Sequence, residues 1–192
     1  MRILWATEGS ENSTQAGRVI PHLRGGAEAE ILTLAVIPGD PMPWLDLVEE
    51  QPAQPQLEQA RREALHRVLD AALQKHGLQQ GHATIRIEVG DPARTIARVA
   101  RDENSDLIVA ATRHETIATE IVGPTTTELM VQAPCPVLVA RGAEPWRSVL
   151  LATDGSEEAA PAEAAVKLLA PNDAMITTLT VVPSPAPDQE PD

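Results

Sequence analysis

The residues of this chain that are best suited to bind an anion lie before and at the start of a predicted helix. Arg113 and His114 supply a cation and an imidazole, and Thr125, Thr126 and Thr127 supply three hydroxyl groups. Hydroxyls and free backbone N–H groups at a helix start can hold phosphate or carboxylate groups. The alternative interpretation is that the threonines only cap the helix and that Arg113 is solvated. This alternative is kept, because a motif predicts a function only in the right structural context.

The sequence shows no arrangement of residues for catalysis or metal binding. Its histidines share no metal-ligand spacing with one another or with Cys135. A phosphate-binding Gly-Lys-Ser/Thr loop, a nucleophile elbow and a dinucleotide-binding Gly-x-Gly-x-x-Gly motif are all absent. We therefore predict no catalytic residue and no metal ligand, while slow nucleotide hydrolysis stays open.

Composition limits the possible partners and the kind of core. The 192 residues carry 15 basic and 28 acidic side chains, a net charge of −13. This charge repels the phosphates of nucleic acids and anionic lipid surfaces, so neither is expected as a partner. Hydrophobic residues make up 43% of the chain, yet it contains no Phe, no Tyr and three Trp. The core is therefore expected to be aliphatic.

The cysteine count and the N-terminus indicate the cellular compartment. Cys135 is the only cysteine and has no disulfide partner within the chain, which fits a reducing compartment. The N-terminus turns polar at Thr7, too early for the apolar core of a signal peptide. No apolar run approaches the roughly 20 residues that span a bilayer. We therefore expect a cytoplasmic protein.

Short apolar runs alternate with helical patterns along the first 142 residues. The predicted strands cover residues 3–6, 30–37, 84–89, 106–111 and 137–140. The predicted helices cover residues 13–23 with Ser13 as the N-cap, residues 56–75, a segment that starts at Pro92, and residues 125–132. Strands that alternate with helices at these lengths form β-α-β units. The sequence thus predicts an α/β fold, a doubly wound parallel sheet with helices on both faces.

The chain begins this pattern a second time. Residues 6–10, Ala-Thr-Glu-Gly-Ser, recur at 152–156 as Ala-Thr-Asp-Gly-Ser, an offset of 146 (152 − 6). Residues 34–38, Leu-Ala-Val-Ile-Pro, recur at 179–183 as Leu-Thr-Val-Val-Pro, an offset of 145 (179 − 34). We therefore expect a complete domain at 1–142, a truncated β-α-β repeat at 143–182 (the half-repeat) and a disordered, acidic, proline-containing tail at 183–192.

Four segments, in order, resemble the universal stress protein family. They are residues 6–13 (Ala-Thr-Glu-Gly-Ser-Glu-Asn-Ser), 89–92 (Val-Gly-Asp-Pro), 105–109 (Ser-Asp-Leu-Ile-Val) and 133–139 (Ala-Pro-Cys-Pro-Val-Leu-Val). The resemblance covers residues 1–142 and resumes at 147–182. It implies a five-stranded parallel sheet of order 3-2-1-4-5, commonly dimeric through the fifth strand, in a small protein tied to stress survival. Some members of the family bind ATP and others do not.

The resemblance also implies a nucleotide crevice where the strand order reverses. ATP-binding members carry there two glycines and a final Gly-Ser or Gly-Thr pair. Here Ala111 and His114 stand at the two glycines, and Pro124 follows Gly123 in place of Ser or Thr. Glu8 replaces an Asp, and eight residues rather than nine separate His114 from Gly123. The candidate crevice residues are Ala6, Thr7, Glu8, Val36, Ala111, Arg113, His114, Gly123, Pro124, Thr125 and Thr126.

These departures predict a degenerate nucleotide pocket and no cofactor. The preferred interpretation is a non-catalytic universal stress protein that acts through dimerisation or through contacts with an unidentified protein partner. Two strands and one helix cannot bury their apolar surface alone, so a homodimer is expected to form through the fifth strand and the half-repeat. An alternative for the half-repeat is that it folds back onto the first domain of its own chain. The alternative is a stress switch that binds ATP, with or without Mg²⁺, or another adenine nucleotide.

Overall fold

The computed structural model of the chain describes residues 1–39, 55–78, 83–111, 123–140 and 147–180. The chain divides into two units, Met1–Pro145 and Trp146–Asp192. Arg113, His114 and the predicted disordered tail at 183–192 lie outside the described residues.

The first unit is built on a parallel sheet of five strands. The strands are β1 (Arg2–Ala6), β2 (Glu30–Pro38), β3 (Ala83–Gly90), β4 (Leu107–Ala111) and β5 (Val137–Ala140). Their order is β3-β2-β1-β4-β5, and every neighbouring pair is parallel. The predicted fold class and strand order are confirmed. The central strands β1 and β4 are short and almost wholly buried, as continuous apolar runs require when helices cover both faces of a sheet.

The described residues of the first unit contain four α-helices between the strands. They are α1 (Glu11–Gln15), which continues as a 3₁₀ helix (Ala16–His22), α2 (Pro55–Lys75), α3 (Pro92–Asp102) and α4 (Pro124–Gln132). Asp91 caps α3, its carboxylate accepting a hydrogen bond from the Arg94 N–H at 2.9 Å. Pro at the first helical position fits both α3 and α4, because its missing N–H has no partner within a helix there.

The start of α1 differs from the sequence-based prediction. Ser10, not Ser13, is the N-cap, and its side chain accepts a hydrogen bond from the Ser13 N–H at 3.3 Å. The Ser13 hydroxyl is buried and lies 2.8 Å from the Thr7 hydroxyl, so it is engaged below the helix rather than at its end. The prediction of Ser13 as the cap is therefore wrong, because Ser10 caps the helix while the Ser13 hydroxyl contacts that of Thr7, six residues earlier.

One face of the sheet packs against α3 and α4. Leu4 and Leu34 are fully buried there, as is Ile108 on β4. The remaining buried members of this cluster are Ala6, Ala93, Ile96, Ala97, Val99, Ala100, Ala110 and Leu129. The cluster is entirely aliphatic, in agreement with the composition.

Trp5 lies on the opposite face of β1 and is the one large aromatic side chain in the described core. Its ring is fully buried, and a Cβ added at Gly17 would come within 2.7 Å of it. Glycine at position 17 therefore allows the 3₁₀ helix to lie directly against the indole. The ring of His76 approaches from the end of α2, with the two ring centroids 6.1 Å apart in an edge-to-face arrangement.

His76 makes the stability of this face sensitive to acid. Its Nε2 donates a hydrogen bond to the Thr14 carbonyl at 2.9 Å. Burial lowers the pKa of His76; the bond to Thr14 opposes this shift, and the charges of Arg18 and Lys75 add to it. The unfolded chain therefore binds a proton at His76 more readily than the folded protein does. The contribution of His76 to stability is fully present above its unfolded pKa of about 6.5 and is lost as the pH falls towards the lower pKa of the folded state.

We expect His76→Gln to flatten this pH dependence, because glutamine retains an N–H donor for Thr14 but does not titrate. The measurement is the free energy of unfolding in urea for both proteins at about pH 7.5 and about pH 5.5. An equal loss of stability on acidification in the two proteins would contradict the assignment to His76.

The second unit contains two strands with helical turns between them. Strands β6 (Ser148–Ala152) and β7 (Met175–Leu179) pair in parallel as a separate two-stranded sheet. A short 3₁₀ helix (Glu157–Ala159) leads into α5 (Ala160–Leu169). The second strand ends at Leu179, within the predicted half-repeat, whose residues 181 and 182 lie outside the described part of the chain.

The turns after β1 and β6 have matching geometry. The Thr7 N–H donates to the Leu34 carbonyl at 3.0 Å, and the Thr153 N–H donates to the Leu179 carbonyl at 3.0 Å. Two residues later in each turn, a glycine N–H donates to the threonine hydroxyl, at 3.2 Å and 3.1 Å. These glycines have φ values of 84° and 78°, a left-handed conformation that side chains disfavour.

Candidate functional site

A cavity of about 290 Å³ lies at the carboxyl ends of the central strands of the first unit. It opens where the strand order reverses between β1 and β4, the position at which doubly wound sheets bind ligands. Nine of the predicted crevice residues line it: Ala6, Thr7, Glu8, Val36, Ala111, Gly123, Pro124, Thr125 and Thr126. The other two, Arg113 and His114, lie outside the described residues.

Six lining residues were not predicted from the sequence. They are Leu34, Pro38, Pro92, Ile96, Ala110 and Leu129. Two of them, Pro38 and Pro92, sit at the end of β2 and the start of α3, positions that a search for strand ends would have found. The others are apolar core residues, which become cavity walls only through the packing of β2, β4, α3 and α4.

The turn after β1 supplies the most ordered wall of the cavity. The Thr7 hydroxyl is buried, lies 2.8 Å from the Ser13 hydroxyl and accepts a hydrogen bond from the Gly9 N–H at 3.2 Å. Thr7 thus holds the turn together. Glu8 follows it at the exposed rim, where its carboxylate accepts a hydrogen bond from the Ser10 hydroxyl at 3.0 Å.

The start of α4 forms the opposite wall. Gly123 is its N-cap, without a side chain that could complete the cap, and Pro124 occupies the first turn without an N–H. The hydroxyl of Thr127 donates to the Gly123 carbonyl at 3.2 Å, so this threonine stabilises the helix and does not line the cavity. The three threonines at the helix start therefore have different surroundings.

Thr125 is exposed at the mouth of the cavity, whereas Thr126 is only 9% exposed and lines it. Within the described residues, the Thr126 hydroxyl has no hydrogen-bond partner. The oxygen of this hydroxyl is not itself fully buried, so it is available to a ligand or to water.

The charge of the described cavity wall comes from one residue. Glu8 is the only ionisable lining residue in the described ranges, and most of the remaining wall is aliphatic or proline. The arrangement suits a largely apolar ligand better than a multiply charged anion, because a carboxylate repels phosphate and apolar walls do not solvate it.

Cys135, the only thiol of the chain, has no role in this cavity. It is half-buried and packs against the cluster beneath α3 and α4. Burial and, to a smaller extent, the negative charge of Asp106 together raise the pKa of the Cys135 thiol to about 11. The thiol is therefore protonated at neutral pH, which makes it a poor nucleophile.

The described ranges contain neither a cluster of metal-ligating side chains nor a membrane-spanning helix. No three or more His, Cys, Asp and Glu side chains in the described ranges are grouped so as to hold a metal ion. None of the helices that the structure describes is both long and apolar enough to cross a membrane.

A parallel sheet of order 3-2-1-4-5 with a crevice at the reversal point places the first unit among the doubly wound α/β folds. The family model described as the universal stress protein family matches residues 1–141, and the chain belongs to this family. No curated relative matches the sequence.

Solved structures of the family share the fold at low sequence identity. A universal stress protein from Archaeoglobus fulgidus DSM 4304 is 20% identical with a TM-score of 0.69, over 98% of this chain and 68% of that chain. Universal stress protein UspA from Lactobacillus plantarum is 24% identical with a TM-score of 0.53, over 73% and 97%. A universal stress protein in complex with cAMP is 18% identical with a TM-score of 0.53, over 74% and 97%.

Proposed function

We propose that this protein is a non-catalytic, cytoplasmic stress-response protein that acts by self-association or by contact with a protein partner, and whose crevice has lost tight binding of ATP. Membership of the universal stress protein family supports the stress-response role. The observation that carries the loss of ATP binding is the start of α4, where Gly123 is followed by Pro124 at the mouth of the cavity.

The physical reason is a shortage of donors where phosphates would lie. A helix start binds phosphate through its free N–H groups, and Pro124 removes one of these together with any hydroxyl at that position. Glu8 adds a negative charge to the same cavity. Each hydrogen bond to a charged group is worth roughly 1.5–3 kcal/mol, so the loss of even one weakens ATP binding substantially.

A second function, binding of an adenine nucleotide such as ATP with Mg²⁺, is favoured by a different observation. Leu34, Val36 and Ile96 line the cavity, and their apolar side chains suit the face of a base. The Thr126 hydroxyl in the same lining has no hydrogen-bond partner among the described residues and is available to a ligand. A solved member of the family was crystallised with cAMP, which supports nucleotide binding in proteins of this fold.

Thermal denaturation with and without nucleotide separates the two functions. We expect no rise of the midpoint with ATP and Mg²⁺ at millimolar concentration, because the proposed crevice does not bind ATP tightly. A ligand present at 100 times its Kd would stabilise the protein by about 2.7 kcal/mol, so tight binding would be visible as a higher midpoint. AMP and cAMP are measured in parallel, since they carry less negative charge.

A rise with ATP would overturn the proposal and establish the second function. In that case Thr126→Val serves as the matched control, because it keeps the shape of the side chain and removes only the hydroxyl. Loss of the shift in Thr126→Val would place the nucleotide in this cavity.

Self-association is proposed for the edge of the first sheet as well as for the half-repeat. Among the described strands, β5 pairs with β4 alone, so its other edge is free to pair with a strand of a second copy. On the neighbouring helix α4, Val131 is 83% exposed and Met130 is 46% exposed. An open strand edge beside exposed apolar side chains suits a contact between two copies of the chain.

A further inference from the structure

The cavity of the first unit combines an apolar wall with very few polar groups. Leu34, Ile96 and Leu129 line it and are 0%, 7% and 1% exposed, so these side chains are held by the packed core. A ligand group that contacts them is removed from water, which favours an apolar group. The volume of about 290 Å³ lies at the lower limit of ligand sites, roughly 300–1,000 Å³, and suits a small molecule.

The polar groups of the lining lie on two opposite walls. Glu8 follows β1, and its carboxylate accepts a hydrogen bond from the Ser10 hydroxyl at 3.0 Å. The Ser10 hydroxyl also lies 3.1 Å from the Ser13 hydroxyl, so the group that orients Glu8 is itself tied to the turn. Thr126, at the start of α4, has a hydroxyl with no partner among the described residues. A ligand therefore meets an oriented carboxylate on one wall and a hydroxyl on the other.

The helices that begin beside the cavity contribute negative or paired charges. Glu11 is the first residue of α1, and Asp91 is the N-cap of α3. Arg94, in the first turn of α3, has its Nε 4.0 Å from the Glu128 carboxylate of α4. A small cation that approaches this edge of the sheet is therefore attracted, whereas an anion is repelled.

The sequences that follow β2 and β4 have the same sign of charge. Residues 40–54 contain four acidic and no basic residues, and residues 112–122 contain two acidic residues, Arg113 and His114. With His neutral, their formal charge is −5 (−4 + 1 − 2), in a chain whose net charge is −13. The composition of these connections thus also favours a cationic ligand.

We propose that the crevice binds a small organic amine, a molecule with one protonated amino group and an apolar body. The inference rests on the proposed loss of ATP binding and names the class of ligand for the same crevice. The ammonium N–H groups donate to the Glu8 carboxylate in a charge-assisted hydrogen bond. The apolar body covers Leu34 and Ile96, and the Thr126 hydroxyl bonds a further polar atom of the ligand. A carboxylate or phosphate in the place of the amino group would be repelled by Glu8.

Pairs of probes with the same apolar body and opposite charge test the proposal. Phenethylamine is compared with hydrocinnamate, and tryptamine with indolepropionate. Binding to the full-length chain is followed by NMR through the amide signals of Thr7 and Thr126, which line the cavity. We expect each amine to bind with a Kd of about 1 mM or tighter, and at least about tenfold more tightly than the matched acid.

Glu8→Gln keeps the length of the side chain and an oxygen that accepts from Ser10, but it removes the charge. We expect this variant to reduce the preference for each amine to less than about threefold. Glu11→Gln is the matched control, because it makes the same chemical change at an exposed acidic residue outside the cavity lining. We expect Glu11→Gln to retain the preference. Thermal midpoints verify that both variants are folded, as expected for substitutions of exposed side chains.

The other outcomes overturn the inference. Amines that bind no more tightly than their acids, or that do not bind at about 10 mM, would show that the crevice does not select a cation. Acids that bind more tightly would overturn it and indicate Arg113 or His114 instead. An equal loss of preference in Glu8→Gln and Glu11→Gln would show that the general field of the chain, not this site, attracts the amine. A rise of the thermal midpoint with ATP overturns the proposed function alone, because the probe pairs are measured without nucleotide.

Discussion

Trp5→Ala is expected to lower the free energy of unfolding of the first unit by about 3–5 kcal/mol. The side chain is fully buried on the central strand β1 and contacts the 3₁₀ helix at Gly17 and the ring of His76. Its removal leaves a cavity that these elements cannot fill, because they are anchored by their own backbone hydrogen bonds. The measurement is urea unfolding followed by circular dichroism, which does not depend on tryptophan emission.

Trp5→Phe separates packing from hydrogen bonding at the same position. The indole Nε1 is buried and has no hydrogen-bond partner among the described residues, so phenylalanine removes a polar group that contributes nothing to stability. We expect a clearly smaller loss than for alanine. Val68→Ala on α2, where the side chain is 43% exposed, is the surface control and should change stability by less than about 1 kcal/mol. Equal losses for Trp5→Ala and Val68→Ala would contradict the packing described here.

Local patterns in the sequence were sufficient for the type of fold. Apolar runs, turn glycines and Pro92 at a helix start determine where strands and helices lie, and these features act over a few residues. The strand order came from the family resemblance, since no periodicity specifies which strands are neighbours. The choice between Ser10 and Ser13 as the cap of α1 depended on the hydroxyl of Thr7, which a propensity argument does not include.

The candidate crevice was predicted only where it follows strand ends and motif positions. Glu8 and Gly123 were found in this way, and both line the cavity. Leu34 and Leu129 were missed, because an apolar residue becomes part of a cavity wall only through the packing of distant elements. Thr127, the third hydroxyl at the helix start, was not among the predicted crevice residues, and its hydroxyl is bonded to the Gly123 carbonyl.

In the second unit, the sequence showed how much apolar surface must be covered but not where it is exposed. Alternation along β6 places Val149 and Leu151 on one face and Leu150 on the other. Which of the two faces is covered depends on where α5 packs, and the sequence does not show this. That Leu150, Met175 and Leu179 share one face follows from the paired register of β6 and β7, which is a property of the sheet rather than of either strand.

Pro124→Ser is expected to strengthen ATP binding by about 1–3 kcal/mol, measured by titration calorimetry with Mg²⁺ present. The substitution returns one N–H and one hydroxyl to the first turn of α4, beside the exposed Thr125 and the buried Thr126. Stability should change little, because serine is also accepted in the first turn of a helix. The recovery is partial, since the sequence identifies His114, outside the described residues, as a second obstacle to the phosphates.

Two further variants show whether the gain arises at the crevice. Pro124→Ala restores the N–H without the hydroxyl, so its affinity should lie between those of the wild type and Pro124→Ser. Pro161→Ser makes the same chemical change near the start of α5, away from the cavity lining, and should leave ATP affinity unchanged. If the wild type already binds ATP with micromolar affinity, Pro124 is not the obstacle proposed here. Because affinity is compared at one helix position with and without a donor, the series measures the contribution of the α4 start to phosphate binding.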